Sequence, residues 1–87
     1  MNATEVFDVL LSVMAEILSD FDASQVSPES TFEDLGANSV DRVNIISDAM
    51  DDTETYLPMV RFAGHHTVAS VAELIAQAAT SSSGTEV

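Results

Sequence analysis

The sequence predicts a small all-α domain, a bundle of three principal helices with a short extra helix before the last and a long loop after the first. Apolar residues recur at helical spacing in three segments, and candidate caps precede them. No segment alternates with the period of two that a half-buried strand shows. At 87 residues, the chain has room for a single hydrophobic core.

The first helix is predicted to follow Asn2 and to extend over about 17 residues, a rod of roughly 25 Å. Its apolar side chains recur three or four positions apart from Val6 to Phe21. Asn2 is a suitable N-terminal cap, and Glu5 stands three residues later, where a capping box requires a Glu.

Residues 22–36 lose this period and collect Ser, Pro and Asp before Gly36, which predicts a long connection. Loops of this length are uncommon unless they are functional or held in place. We expect apolar residues to anchor the loop on the bundle, namely Val26, Phe32 and Leu35. Ser30 and Glu33 have the spacing of an isolated capping box, enough for one short turn.

The second helix is predicted to begin at the cap Asn38. At 100° per residue, the inward side would carry Val43, Ile46 and Met50, with Val40 at its edge. The opposite side would carry Asp41, Ile45, Asp48 and Asp52.

Two further helices are predicted after it. Pro58 opens a short one that Gly64 ends, and Thr67 starts the last amphipathic helix. The domain is expected to span residues 1–79, followed by a disordered tail over 80–87.

The charge balance excludes several functions. With 15 acidic and 2 basic side chains, the net charge is −13, so nucleic acid and anionic membranes would repel the protein. The absence of cysteine excludes thiolate catalysis and cysteine-based zinc sites. No signal peptide or apolar span is evident, which makes the cytoplasm the expected location.

Ser39 stands in the first turn of the predicted second helix, where free amides and the helix dipole favour an attached anion. Gly36 and Ala37 before it have little bulk, so we expect its hydroxyl to be exposed. A serine hydrolase would need a base, an orienting acid and an oxyanion hole, and the sequence assembles none of these. Ser39 therefore fits a serine that is modified better than one that attacks.

The string DLGANSVDRVNII, residues 34–46, resembles the phosphopantetheine attachment motif of acyl carrier proteins. The resemblance extends from the first helix to Ile75. It implies an acyl-carrier-protein-like four-helix bundle with a non-catalytic role. It further implies that a phosphopantetheinyl transferase attaches 4′-phosphopantetheine from coenzyme A to Ser39, and that the thiol then holds acyl groups as thioesters.

Asn38 and Val40 depart from the Asp and Leu that are usual in this family. The variant resembles the stand-alone donor carriers of polyketide β-branching, whose acceptor counterparts have a tryptophan where this chain has Ile45. That resemblance implies an acetyl or malonyl cargo and delivery to a 3-hydroxy-3-methylglutaryl-synthase (HMG-synthase) homologue. It also implies an acyltransferase and a decarboxylating ketosynthase-like enzyme as partners, with the carrier itself a monomer.

Partner docking is predicted on the exposed start and outer face of the second helix. The residues assigned to it are Asn38, Val40, Asp41, Arg42, Ile45 and Asp48. Arg42 would hold the prosthetic phosphate, read a partner or simply be solvated. No metal site is expected, because His65 and His66 are adjacent on a bend and lack accompanying ligands; they are expected to cap and pack the junction before the last helix.

Three alternatives remain at this point. A generic fatty-acid or polyketide carrier would share the motif, whereas an acidic interaction module would use the second helix without modification. A peptidyl carrier usually shows Gly-Gly-His-Ser or Gly-Gly-Asp-Ser, which this chain lacks.

Overall fold

The computed structural model of the chain describes residues 1–84. Three α-helices form the bundle: α1 is Ala3–Ile17, α2 is Ser39–Thr53 and α3 is Val68–Gly84. Two short 3-10 turns lie between them, Ala23–Gln25 and Met59–Phe62. The described residues contain no strand, only an isolated antiparallel bridge between Thr31 and Thr67. The predicted all-α class is therefore confirmed, and the short third helix is a single 3-10 turn.

α1 begins at the predicted capping box. The Asn2 side chain accepts from the backbone N–H of Glu5 at 2.8 Å, and the Glu5 carboxylate accepts from the backbone N–H of Asn2 at 2.9 Å. The buried side of α1 carries Val6, Leu10, Val13 and Met14. α1 packs against both other helices, so its apolar stripe forms the centre of the core.

The long loop is packed against the core near its end, whereas the bonds near its start are local. Near its start, Ser24 donates to the Asp22 carboxylate from its backbone N–H (3.0 Å) and its hydroxyl (2.7 Å), and these bonds lower the pKa of Asp22. Near its end, Phe32 is buried and Leu35 packs against the core. Val26 is half-buried.

The capping box predicted at Ser30 and Glu33 is wrong by one residue. The Thr31 hydroxyl accepts from the backbone N–H of Asp34 at 3.0 Å, and the Asp34 carboxylate accepts from the backbone N–H of Thr31 at 3.3 Å. The Ser30 hydroxyl instead accepts from the backbone N–H of Ser27. The Ser30 carbonyl accepts from Val68 at 2.9 Å, which fixes the loop to the start of α3.

α2 is rotated about its axis, by roughly 60°, relative to the predicted orientation. Its buried residues are Ile45, Ile46, Ala49 and Met50. Val43, predicted inward, is 40% exposed, and Ile45, predicted outward, is fully buried. Val43 and Ile45 are two positions apart and so lie on nearly opposite sides of the helix, and the apolar pattern does not decide which of them faces the core.

The C-terminal half of α2 is acidic and ends without a glycine. Glu54 ends the helix with φ 54° and ψ 39°, which lies in the left-handed region of backbone conformation that residues other than glycine rarely adopt. Asp51, Asp52 and Glu54 are all exposed near the negative end of the helix dipole. Both features lower the stability of this end of the helix.

α3 continues to Gly84, so the predicted domain boundary at residue 79 falls inside a helix. Residues 85–87 of the predicted disordered tail lie outside the described residues, and the tail stays a prediction. Among the described helices, none combines the length and the apolar character needed to cross a membrane.

Candidate functional site

The chain enters α2 through a tight turn and a second capping box. Gly36 has φ 93°, which permits the reversal that brings the Ala37 N–H to the Phe32 carbonyl at 3.0 Å. The Asn38 side chain accepts from the backbone N–H of Asp41 at 2.8 Å, and the Asp41 carboxylate accepts from the backbone N–H of Asn38 at 3.3 Å. Asn38 therefore caps α2 as the sequence predicts, and Asp41 completes the box.

Ser39 is the first residue of α2, and it is exposed. In the part of the chain that the structure describes, the backbone N–H groups of Ser39 and Val40 have no protein acceptor. Free amides at the positive end of a 15-residue helix favour an anion attached there. The surroundings of Ser39 thus suit a hydroxyl that carries a phosphodiester.

A cavity of about 400 Å³ adjoins Ser39. We call it the Ser39 cavity; its walls include Phe32, Glu33, Arg42 and His66. It lies where the long loop, the first turn of α2 and the segment before α3 meet. A group attached to Ser39 therefore has a recess of ligand size beside it.

Arg42 ties α2 to the segment before α3. Its Nη2 donates to the backbone carbonyls of Phe62 at 2.9 Å and His65 at 2.8 Å. Its guanidinium carbon lies 5.7 Å from the centroid of the Phe32 ring, within range of a cation–π contact. The half-buried Arg42 therefore fixes the tertiary structure around Ser39, a role that the sequence reasoning did not assign to it.

The predicted docking residues do not share one surface. Val40 is 66% exposed and Asp48 is also exposed, as predicted. The assignment of Ile45 is wrong because its side chain is fully buried in the core. Arg42 is directed towards the carbonyls of the segment before α3, so it does not stand free on the outer face.

The exposed side of α2 contains residues that the sequence reasoning missed. We call it the α2 outer face; it comprises Val40, Val43, Asn44, Asp48 and Asp51. Two apolar side chains here are surrounded by polar and acidic ones. The signal for this face was weak, because Val43 and Ile45 are both apolar and lie on nearly opposite sides of the helix.

The two histidines before α3 have different environments. His65 is half-buried, and its Nδ1 lies 2.6 Å from the Ser70 hydroxyl, in agreement with the predicted packing at this junction. His66 is exposed and lines the Ser39 cavity. Over residues 1–84, no group of three or more potential ligands could hold a metal ion.

Comparison with known proteins defines the class of this protein. Residues 8–75 match the family described as the phosphopantetheine attachment site, and the chain belongs to this family. Members of this family carry a 4′-phosphopantetheine prosthetic group, and the acyl carrier proteins among them are non-catalytic. The free amides and the recess beside Ser39 fit such a group.

One relative matches this chain over most of its length. The chain is 31% identical over 75 residues to the polyketide biosynthesis acyl-carrier-protein AcpK of Bacillus subtilis (strain 168). The match covers 86% of this chain and 92% of the relative. No solved structure matches the chain significantly. The protein is thus an acyl carrier protein, and the name of this relative assigns the relative to polyketide biosynthesis.

Proposed function

We propose that Ser39 carries 4′-phosphopantetheine and that the protein delivers an acetyl or malonyl group to an HMG-synthase-like enzyme in polyketide β-branching. The observation that carries the attachment is the exposed Ser39 hydroxyl at the first residue of α2, inside the family match. A phosphopantetheinyl transferase is the enzyme that would modify it.

The donor role is supported by the residues around Ser39. Asn38 and Val40 distinguish this chain from the commonest carriers, and the chain contains no tryptophan that would mark an acceptor. An enzyme that chooses between two acidic carriers needs a local difference between them, because net charge does not separate the two. We assign Arg42 an indirect part in that difference, because it shapes the start of α2 and the Ser39 cavity.

Acetyl transfer tests the donor role. The protein loaded with an acetyl group should acylate the active-site cysteine of an HMG-synthase homologue, because that thiolate attacks the thioester and releases the free thiol of the arm. Intact mass spectrometry of the synthase should show one added acetyl group.

A chain-elongating ketosynthase provides the competing measurement. The same loaded protein should acylate the ketosynthase poorly relative to the synthase. Efficient transfer to the ketosynthase with none to the synthase would overturn the donor role and favour the generic carrier. An unmodified chain after incubation with several transferases would instead favour the acidic interaction module.

We propose the α2 outer face as the docking surface for the synthase. Val40 and Val43 supply an apolar contact beside Ser39, and Asp48 and Asp51 lie further along the same face. A partner that binds here needs a small apolar patch next to basic side chains. The acidic residues at the end of α2 lower the stability of the helix there. Their role would be to attract a basic partner and not to stabilise the fold.

Charge reversal on this face should slow association. The double variant Asp48→Lys, Asp51→Lys is expected to lower the association rate by about tenfold or more at low salt, since steering charges act mainly on that rate. Surface plasmon resonance at several salt concentrations measures it. The variant Asp8→Lys, Glu16→Lys on the exposed side of α1 is the matched control for net charge. Equal slowing in both variants would exclude a specific role for the α2 outer face.

A further inference from the structure

The Ser39 cavity has an arginine and a histidine on its wall, although the protein is strongly negative. The chain has no lysine and two arginines against 15 acidic residues, yet Arg42 and His66 both line this one recess. Glu33 is the carboxylate on its wall, and the Asp41 carboxylate is engaged by the backbone N–H of Asn38 at the entrance to α2. This placement indicates a site that receives an anion.

The Arg42 guanidinium is fixed in place and keeps N–H groups that can donate further hydrogen bonds. Its Nη2 is bonded to two backbone carbonyls, while its Nε and Nη1 have no protein acceptor within residues 1–84. A guanidinium fixed in this way loses little conformational freedom when it binds a further acceptor. Phosphate oxygens are acceptors that arginine binds well.

Part of the cavity wall is apolar. Phe32 and Ala37 line it, and they are 2% and 6% exposed. The cavity therefore suits a ligand in which a branched apolar group lies close to a phosphate. The proximal half of phosphopantetheine has this chemistry, because a single methylene separates its phosphodiester from a carbon that bears two methyl groups.

We propose that the Ser39 cavity holds the proximal half of the prosthetic arm, with the phosphodiester towards Arg42 and His66 and the paired methyl groups against Phe32. This proposal rests on the attachment at Ser39. It assigns Arg42 and His66 as positioning residues for the arm, and it leaves the thiol end outside the cavity to reach partner enzymes.

Nuclear Overhauser effects test the proposal directly. Isotope-labelled protein is converted to the holo form with unlabelled coenzyme A and a phosphopantetheinyl transferase, and intact mass confirms the modification. We expect effects between the paired methyl protons of the arm and the ring protons of Phe32. Their absence from fully modified protein would overturn the cavity assignment while leaving the attachment at Ser39 intact. Lack of modification would overturn the attachment itself and this assignment with it.

A pair of variants separates a positioning role from a merely structural one. His66 and Arg61 are both exposed, but only His66 lines the cavity. His66→Gln should weaken the nuclear Overhauser effects between the arm and Phe32. It should also reduce the chemical-shift differences between the holo and apo forms at the backbone amides that line the cavity. Arg61→Gln should change neither quantity. Equal responses of the two variants, or unchanged effects in His66→Gln, would exclude His66 as a positioning residue.

Discussion

Replacement of Ser39 by alanine is expected to abolish phosphopantetheinylation completely. In the proposed reaction the Ser39 Oγ attacks the phosphorus next to the pantetheine of coenzyme A, and the P–O–P bond breaks to release adenosine 3′,5′-bisphosphate. An alanine side chain has no atom that can form the new O–P bond. Incubation of the wild type with coenzyme A and a transferase should add one phosphopantetheinyl group, whereas Ser39→Ala should keep its apo mass. Intact mass spectrometry measures both.

The fold should survive this change. Ser39 is the first helical residue while Asn38 provides the cap, and alanine is a good helix former, so stability should change by less than about 0.5 kcal/mol. Ser12→Ala, which removes an exposed serine from α1, is the control and should be modified like the wild type. Modification of folded Ser39→Ala would show that another residue carries the group.

Replacement of Arg42 by methionine is expected to lower the free energy of unfolding by about 2–4 kcal/mol. Its guanidinium makes two hydrogen bonds to backbone carbonyls that methionine cannot replace, and Phe62, which supplies one of them, is fully buried. A loss of this size is a large share of the roughly 5–15 kcal/mol that stabilises a typical domain. Urea denaturation followed by circular dichroism measures it.

Arg61 provides the matched control. It is the other arginine of the chain, and its side chain is exposed. Arg61→Met removes the same charge and should change stability by no more than about 0.5 kcal/mol. Equal stability of the two variants would refute the structural role of Arg42. Because Arg42→Met is expected to lose much of its stability, acyl transfer by this variant has to be measured under conditions in which it is folded.

Local patterns predicted most of the secondary structure. The capping pair of Asn2 and Glu5 and the cap at Asn38 each depend on residues within three positions, so sequence spacing is sufficient to find them. The length of α1 was also predicted closely, because its apolar stripe is continuous. The loop capping box was misplaced by one residue because two overlapping pairs, at 30 and 33 and at 31 and 34, have the same spacing.

The site was predicted in part. Ser39 and its position in the first turn of α2 follow from the motif and the cap, and the structure places it there, exposed. The docking surface was less accurate, since Ile45 is buried and Val43 is exposed. Both side chains are apolar and lie on nearly opposite sides of the helix, so the hydrophobic pattern alone does not decide which one is buried.

The sequence by itself determined the helical class, the family and the residue at the start of α2, because these depend on periodicity, caps and a contiguous motif. Only the tertiary structure decided which side of α2 is buried and that Arg42 and His66 meet beside Ser39. The bonds from Arg42 join residues 20 and 23 positions apart in the chain. Their acceptors are backbone carbonyls, which every residue has, so no pattern of side chains could identify them.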